Sequence, residues 1–479
     1  MKKGFWQMVG FVTLLVAGGG AWFFLTVGEW NGPKIAAEGD TSVIGRQKVL
    51  TVAFSDAGRG LRRVSVAVTQ DNQRRPVATF DYPGAGVGQK SLSVTIDTAV
   101  LKLHDGPATL TLTAEDYSLW KNKTAIELPV TIDLMPPQIA QLNSTHHINP
   151  GGSCLVTYRL SKPVVRTGVQ VGDLFFPGYP LTPAGQSAAL PAVQPAAPPA
   201  AQPPVAGQTA VQPSVPPTTH PVGQATYAAY FALPMDLTKD TKIALVALDQ
   251  AGNETLSGIP TQILNKKYRS DKMLLSDGFF NQKMPEFQAT IPELRGKPLF
   301  DVFLHVNTVL RKQNLLAIQE VGKKTEPRVL WEGPFLRMKN AAPMALFGDH
   351  RTYLYEGKQV SESIHNGVDL ASLVQAPIEA ANHGVVRFTG PIGIYGNSVI
   401  VDHGLGLMTL YSHMSAIQAQ VGQTVKKGDV LGKSGMTGLA AGDHLHFGVA
   451  IHGQFVDPKE WWDPHWIEDN VTKKMTAAY

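Results

Sequence analysis

The sequence predicts a mostly β chain entered through one long apolar helix and ending in a histidine-rich domain. Three observations predict it: an uncharged run near the N-terminus, alternating apolar residues across the first half, and a concentration of histidine in the last third. At 479 residues the chain is about three domains long, on a prior of ~150 residues each. Hydrophobic residues make up 43% and charged residues 17%, which excludes a wholly disordered, coiled-coil or collagen-like chain. The net charge is +4, from 42 basic and 38 acidic residues, too weak and too dispersed for nucleic-acid binding. Cys154 is the single cysteine, so there is no intramolecular disulfide, no cysteine-based zinc site and no CxxC redox motif. Any metal must be held by histidine and carboxylate.

Lys2 and Lys3 precede an uncharged run from Gly4 to Val27. As a helix it would rise about 36 Å, enough to cross a ~30 Å hydrocarbon core with some tilt. The expectation is an N-terminal transmembrane helix, an uncleaved anchor over residues 1–29 that contacts the cytoplasmic membrane through residues 4–27. Cationic residues before the run and Glu29 after it put the N-terminus in the cytoplasm and the bulk, from about Trp30 onward, in the periplasm or cell-wall space. A signal peptide cleaved near Ala17 to Gly20 is the competing reading, but Ala21 to Val27 continue apolar beyond it. Gly18 to Gly20 argue against a buried soluble helix.

Between about Asp40 and Leu134 apolar residues alternate: Val64, Val66, Val68; Leu92, Val94, Ile96; Leu110, Leu112, Ala114. Period two means half-buried strands, and Asp56-Ala57-Gly58 and Asp105-Gly106 supply turns between them. A repeat follows. Leu110, Leu112, Ala114 and Asp116 with Asn122 correspond to Ile243, Leu245, Ala247 and Asp249 with Asn253. The expectation is two immunoglobulin-like β-sandwich modules, over residues 30–134 and 135–265. The second is interrupted by a Pro/Ala-rich disordered insertion at about 180–223, inside a stretch from Asp173 to Asp236 that has no charged residue between those two aspartates. Cys154 is read as a small buried hydrophobe.

Over residues 266–340 the period changes. Leu299, Val302, Phe303, Val306, Val309 and Leu310 recur at helical spacing behind Pro298, a residue suited to a first helical turn. A short helical connecting segment is expected, with no catalytic spacing in it.

Nine of the fourteen histidines lie in residues 341–479. "HNGVDLA" sets His365 and Asp369 four residues apart, and "HLHFGVAIH" sets His444 and His446 two apart in an apolar alternating run. Residues i and i+2 of a strand share a face, so one imidazole can bind a metal while the other faces the reacting group. Two histidines and a carboxylate with a fourth position left open is a catalytic zinc coordination set. An Asn366-Gly367 turn is the plain reading of that dipeptide. His350, His383, His403, His452 and His465 are read as turn or surface residues, with His350 and His383 nearest the groove. Asp402 and Asp443 are solvated turn residues or hydrogen-bond partners of the motif histidines, and Trp461, Trp462 and Trp466 close a core.

With "LYSHMS" at 410–415 added, the motifs become specific. From about Phe347 to Trp462, through "FGDHRTY", "HNGVDLA", "GIYGNSVIVDHGLGLMTLYSHMS", "GDHLHFGV" and "VDPKEWW", the sequence resembles the lysostaphin/LytM-type zinc metallopeptidases, which cleave peptides of peptidoglycan. The resemblance implies an antiparallel β-sheet peptidase domain over residues 341–479 and one Zn2+ per chain. It implies His365, Asp369 and His446 as zinc ligands and His413 and His444 as the catalytic histidines. Its implied partner is a peptidoglycan stem or bridge peptide, with cell-wall or division proteins as candidate protein partners and no nucleic acid. A LytM-type regulator of a cell-wall amidase and a wall-binding immunoglobulin-like protein are the competing functions; intact ligand positions argue against the first.

Overall fold

A computed structural model describes residues 2–27, 30–84, 86–143, 145–181, 225–238 and 240–478. The first helix is Lys2–Val27, with side chains described over residues 8–20 and at Trp22. Among the described residues no helix is long and apolar enough to cross a membrane. This overturns the expected N-terminal transmembrane helix, since a span needs about 20 predominantly apolar residues in one helix.

The chain divides into two compact units, residues 1–137 with 248–254, and residues 138–247 with 255–479. In the first unit a three-stranded sheet (Lys34–Glu38, Gln47–Ser55, Gln89–Asp97) faces a five-stranded one built around Gly106–Asp116 and Leu61–Gln70. The alternating residues meet between them: Val64, Val66, Val68, Leu110, Leu112 and Ala114 from one sheet pack on Leu50, Val52, Phe54 and Ile96 from the other. Here period two follows from one face of each sheet being dry. The repeated Asp/Asn turns also share a geometry. Asp116 Oδ2 accepts from Asn122 Nδ2 at 3.0 Å, and Asp249 Oδ2 accepts from Asn253 Nδ2 at 3.1 Å.

The second unit begins with two four-stranded sheets, one centred on Ser153–Leu160 and Ala225–Ala232, the other on Arg166–Val171 and Ile243–Leu248. Apart from its first two residues the Pro/Ala-rich insertion lies outside the described residues. The connecting segment supplies a strand, Ser270–Leu274, and helices Asp277–Thr290, Leu299–His305 and Arg311–Gly322. Ser276 caps the first of these by accepting from Phe279 N at 3.3 Å. A π-helical turn, Val306–Leu310, joins the last two. Its i→i+5 bonding puts an extra residue in the turn and rotates the apolar face, so Val306 is buried while Val309 is 43% exposed.

The C-terminal sheet runs in the order Ala342–Ala345, Val368–Ala371, Leu445–Ile451, Leu407–Ser412, Asn397–Asp402, Gly384–Pro391, Thr424–Val425, with every pair antiparallel. Leu445–Ile451 is an interior strand of this sheet and is buried throughout, which accounts for a nearly unbroken apolar run. One hydrophobic core extends from Ile148 to Val471. Trp461 is fully buried in it, against Tyr230, Trp331 and Phe335, and donates to Ser153 Oγ at 3.2 Å.

Candidate metal centre and groove

Three adjacent strands deliver the site. The register sets Asp369 of Val368–Ala371 opposite His446, and Ser412 of Leu407–Ser412 opposite His446 on the other side. His413 therefore emerges one residue beyond that strand, with a left-handed φ of 62° that few non-glycine residues adopt. His365 follows the strand Lys358–Ile364. Gly367, in the expected Asn-Gly turn, is required for a different reason. A Cβ there would stand 2.6 Å from both His446 Nε2 and Phe447 O, so only glycine lets this segment pass behind the His446 ring.

His365, Asp369 and His446 form a group of metal-type donors, all buried. His365 Nε2 lies 3.0 Å from Asp369 Oδ1, His446 Nδ1 lies 2.9 Å from the same oxygen, and the two ring nitrogens are 3.1 Å apart. Donors around a tetrahedral ion held at ~2.0–2.1 Å stand about 3.3 Å apart, so the triangle is close to the size zinc needs. Three lone-pair atoms this near one another also repel unless a cation or shared protons lie among them. His365 Nδ1 bonds to Leu346 O at 2.9 Å, which leaves Nε2 as the lone-pair nitrogen facing the group. Among the described residues His446 Nε2 has no hydrogen-bond partner, so its Nδ1 is the nitrogen in use. Arg351 donates to Asp369 Oδ2 at 3.2 Å and leaves Oδ1 to the histidines.

His413 and His444 lie beside this group rather than in it. Their rings are 4.8 Å apart, and His413 is 5.7 Å from the His446 ring. His413 Nδ1 bonds to Thr437 O and His444 Nδ1 to Gly442 O, each at 2.8 Å. In both, Nδ1 carries the proton and Nε2 the lone pair. His444 Nε2 is 3.6 Å from Asp369 Oδ1, too long for a hydrogen bond.

The electrostatics suit a metal. Burial opposes the charge on Asp369, yet His365, His444 and His446 outweigh it and hold the carboxyl well below its ordinary value. Burial pushes His446 down to about 4 despite Asp369, and pushes His413 well down, with His444 and His446 adding to the effect. For His444 burial is outdone by Asp369, and the value rises. An ionised carboxylate beside a neutral His446 imidazole is the protonation state that metal ligation requires.

The remaining expectations divide. His350 and His383 do not line the groove. His403, expected in a turn or at the surface, is fully buried, with Nδ1 on His383 O at 2.7 Å and Nε2 on Thr409 Oγ1 at 2.8 Å. Burial takes it down to about 4. Asp402 is neither solvated nor a partner of a motif histidine: it is fully buried and accepts from Arg387, Thr325 and Glu326 N. Asp443 accepts from Ser434 Oγ and Gln375 N. Sequence reading missed Arg351, Tyr395 and Arg311, which line the same cavity of about 440 Å3 as the five site residues. Arg351 sits in the motif "FGDHRTY", which was the available signal; Arg311 lies in the helical segment and had none.

Residues 363–458 match the model of peptidase family M23. The DD-carboxypeptidase/endopeptidase Mpg of Neisseria meningitidis serogroup B is 42% identical over 95 residues, 20% of this chain and 22% of that protein. The peptidoglycan DD-endopeptidase ShyA of Vibrio cholerae is 39% identical over 115 residues, 24% of this chain and 26% of that protein. An uncharacterized metalloprotease of Haemophilus influenzae is 38% identical over 95 residues, 20% of each chain. The chain thus matches only about a quarter of the length of these relatives, and the residues matching the family model include His365, Asp369, His413, His444 and His446. The C-terminal part of this protein carries a peptidase family M23 domain of the LytM type.

Proposed function

We propose that the C-terminal domain is a zinc metallo-endopeptidase that hydrolyses stem or cross-link peptides of bacterial peptidoglycan in cell-wall remodelling. The observation that carries the reading is the convergence of His365 Nε2, Asp369 Oδ1 and His446 Nδ1 within 3.1 Å of one another, with two further histidines alongside. His365, Asp369 and His446 would hold one Zn2+. The ion, when bound, supplies Lewis-acid polarisation of a carbonyl and acidifies water.

The chain's own residues do the rest. His413, whose Nδ1–H is fixed on Thr437 O, offers Nε2 as the base that takes the attacking water's proton. Burial keeps that imidazole neutral, so its lone pair is not already protonated. His444, drawn toward its protonated form by Asp369, can hand a proton to the leaving amine or hydrogen-bond the oxygen on which negative charge grows. Arg351 locks the outer oxygen of Asp369. Such a substrate puts the work of the domain outside the cytoplasm, in the periplasm or cell-wall space. Zymography on purified peptidoglycan tests the reading: clearing by the full chain that is abolished by a chelator supports it, and chelator-insensitive clearing or none contradicts it.

A further inference from the structure

We propose that Arg311 is a specificity-determining residue of the groove, a receptor for a carboxylate on the substrate peptide, supplied by the helical segment outside the residues that match family M23. It rests on the peptidase reading and narrows the substrate class to peptides bearing a free carboxylate close to the bond cut, as opposed to neutral bridge peptides.

Arg311 begins the helix Arg311–Gly322 and lines the cavity shared by His365, Asp369 and His413. Its guanidinium is oriented but not neutralised. Nε donates to Asn307 O at 3.2 Å and Nη2 to Asn307 Oδ1 at 2.7 Å, both uncharged acceptors. Asn307 is itself held: it is 2% exposed, and its Nδ2 donates to Ser361 Oγ at 2.7 Å and to Glu362 O at 3.3 Å. That pattern turns its oxygen toward Arg311. Among the described residues no carboxylate lies within ion-pair distance of Arg311, whereas Arg62, Arg63, Arg269, Arg351 and Arg387 each pair with one.

The acids that line the groove are already engaged. Asp369 serves the histidines and Arg351, and Asp443 is held by Ser434 and Gln375 N. The free charge of the groove is therefore cationic, and a guanidinium presents a fork that matches a carboxylate. Its position is fixed, because Asn314 on the same helix accepts from Ile394 N at 2.8 Å. This joins the helix to the turn Gly393–Tyr395, whose Tyr395 ring stands 5.4 Å from the His446 ring.

The test uses the full chain with metal removed, so that nothing is turned over. It is titrated with two fluorescent pentapeptides that are identical except that one has a carboxylate side chain and the other the matching carboxamide. The carboxylate peptide is expected to bind ~10-fold or more tightly, the range of a charge-assisted fork. R311Q, with an unchanged melting midpoint, should erase that preference and leave the carboxamide within ~2-fold, and R311K should keep part of it. No preference in the unaltered protein, or an equal loss for both peptides in R311Q, overturns the assignment. Hydrolysis of the same pair by zinc-loaded protein separates the two readings: peptides bound with the preference yet never cut count against the peptidase and for Arg311, and peptides cut without preference do the reverse.

Discussion

Asp116, in the first unit, and Asp369, in the peptidase sheet, are both carboxylates buried on antiparallel strands, 0% and 9% exposed. Asp116 accepts from Ser118 N at 3.0 Å, Ser118 Oγ at 2.6 Å and Asn122 Nδ2 at 3.0 Å. All three partners lie within six residues and all carry their own hydrogens, so the cluster is complete and locks a turn. Asp369 meets ring nitrogens of His365 and His446, the second 77 residues away, and neither ring brings a proton of necessity. Burial of a carboxylate alone says nothing about function; partners with lone pairs of their own, gathered from distant strands, mark a place for a cation.

The largest effect that sharpens this contrast is His446→Ala. It should take bound zinc from about one per chain to near none and abolish hydrolysis in a folded protein, because three ligands are needed to compete with water. Elemental analysis of the folded mutant checks it; full occupancy would show that the wrong imidazole of the 444/446 pair has been assigned to the metal.

Next come the histidines beside the donors. His413→Ala and His444→Ala should keep zinc and lose activity by ~100-fold or more, the range a positioned acid or base supplies. Loss of zinc in either would move that residue among the ligands, and rates near those of the unaltered protein would remove it from the mechanism.

Glu460 extends the comparison to a half-buried carboxylate, which accepts hydrogen bonds from Ser153 N and Oγ at 2.8 Å. Burial raises it from 4.5 to about 8, with Asp457 adding to the rise and Ser153 and Lys266 opposing it. A raised folded value favours the protonated acid, so its contribution to stability is full below about pH 4.5 and is lost as pH climbs through about 8. The melting midpoint should fall by ~5 °C or more between pH 6 and pH 9, and Glu460→Gln should flatten that slope. A slope unchanged in the mutant would assign the pH dependence to another group.

The smallest effect is on Asp116. Asp116→Ala should cost ~1–3 kcal/mol of stability, the penalty for stranding buried donors, while zinc content and hydrolysis stay unchanged. Urea unfolding beside elemental analysis reads both; a change in metal content would erase the distinction between the two aspartates.

The sequence exposes what is periodic or closely spaced. Val64, Val66, Val68 and Leu110, Leu112, Ala114 mark a sheet core because strand geometry repeats every two residues, and the close spacings of His365 with Asp369 and His444 with His446 mark side chains that the fold gathers around one cavity. The N-terminal run suggested a membrane span, whereas among the described residues no helix is long and apolar enough to cross one. The π-helical turn at 306–310 broke the helical period and turned Val309 outward. Arg387 on Asp402, Asn314 on Ile394 N and Arg351 on Asp369 join residues 15, 80 and 18 positions apart. Such contacts are fixed by register and packing, which leave no local pattern to read. For the same reason His403 looked like a turn residue and is a buried hydrogen-bonded one.

The most direct measurement titrates zinc into the metal-free full chain on purified peptidoglycan, following bound metal by elemental analysis and released peptides by mass spectrometry in the same samples. Peptide release should rise in proportion to bound zinc and level off at about one equivalent, with new amine ends on the fragments. One equivalent of zinc bound with no peptide released, or release that does not depend on zinc, would contradict it.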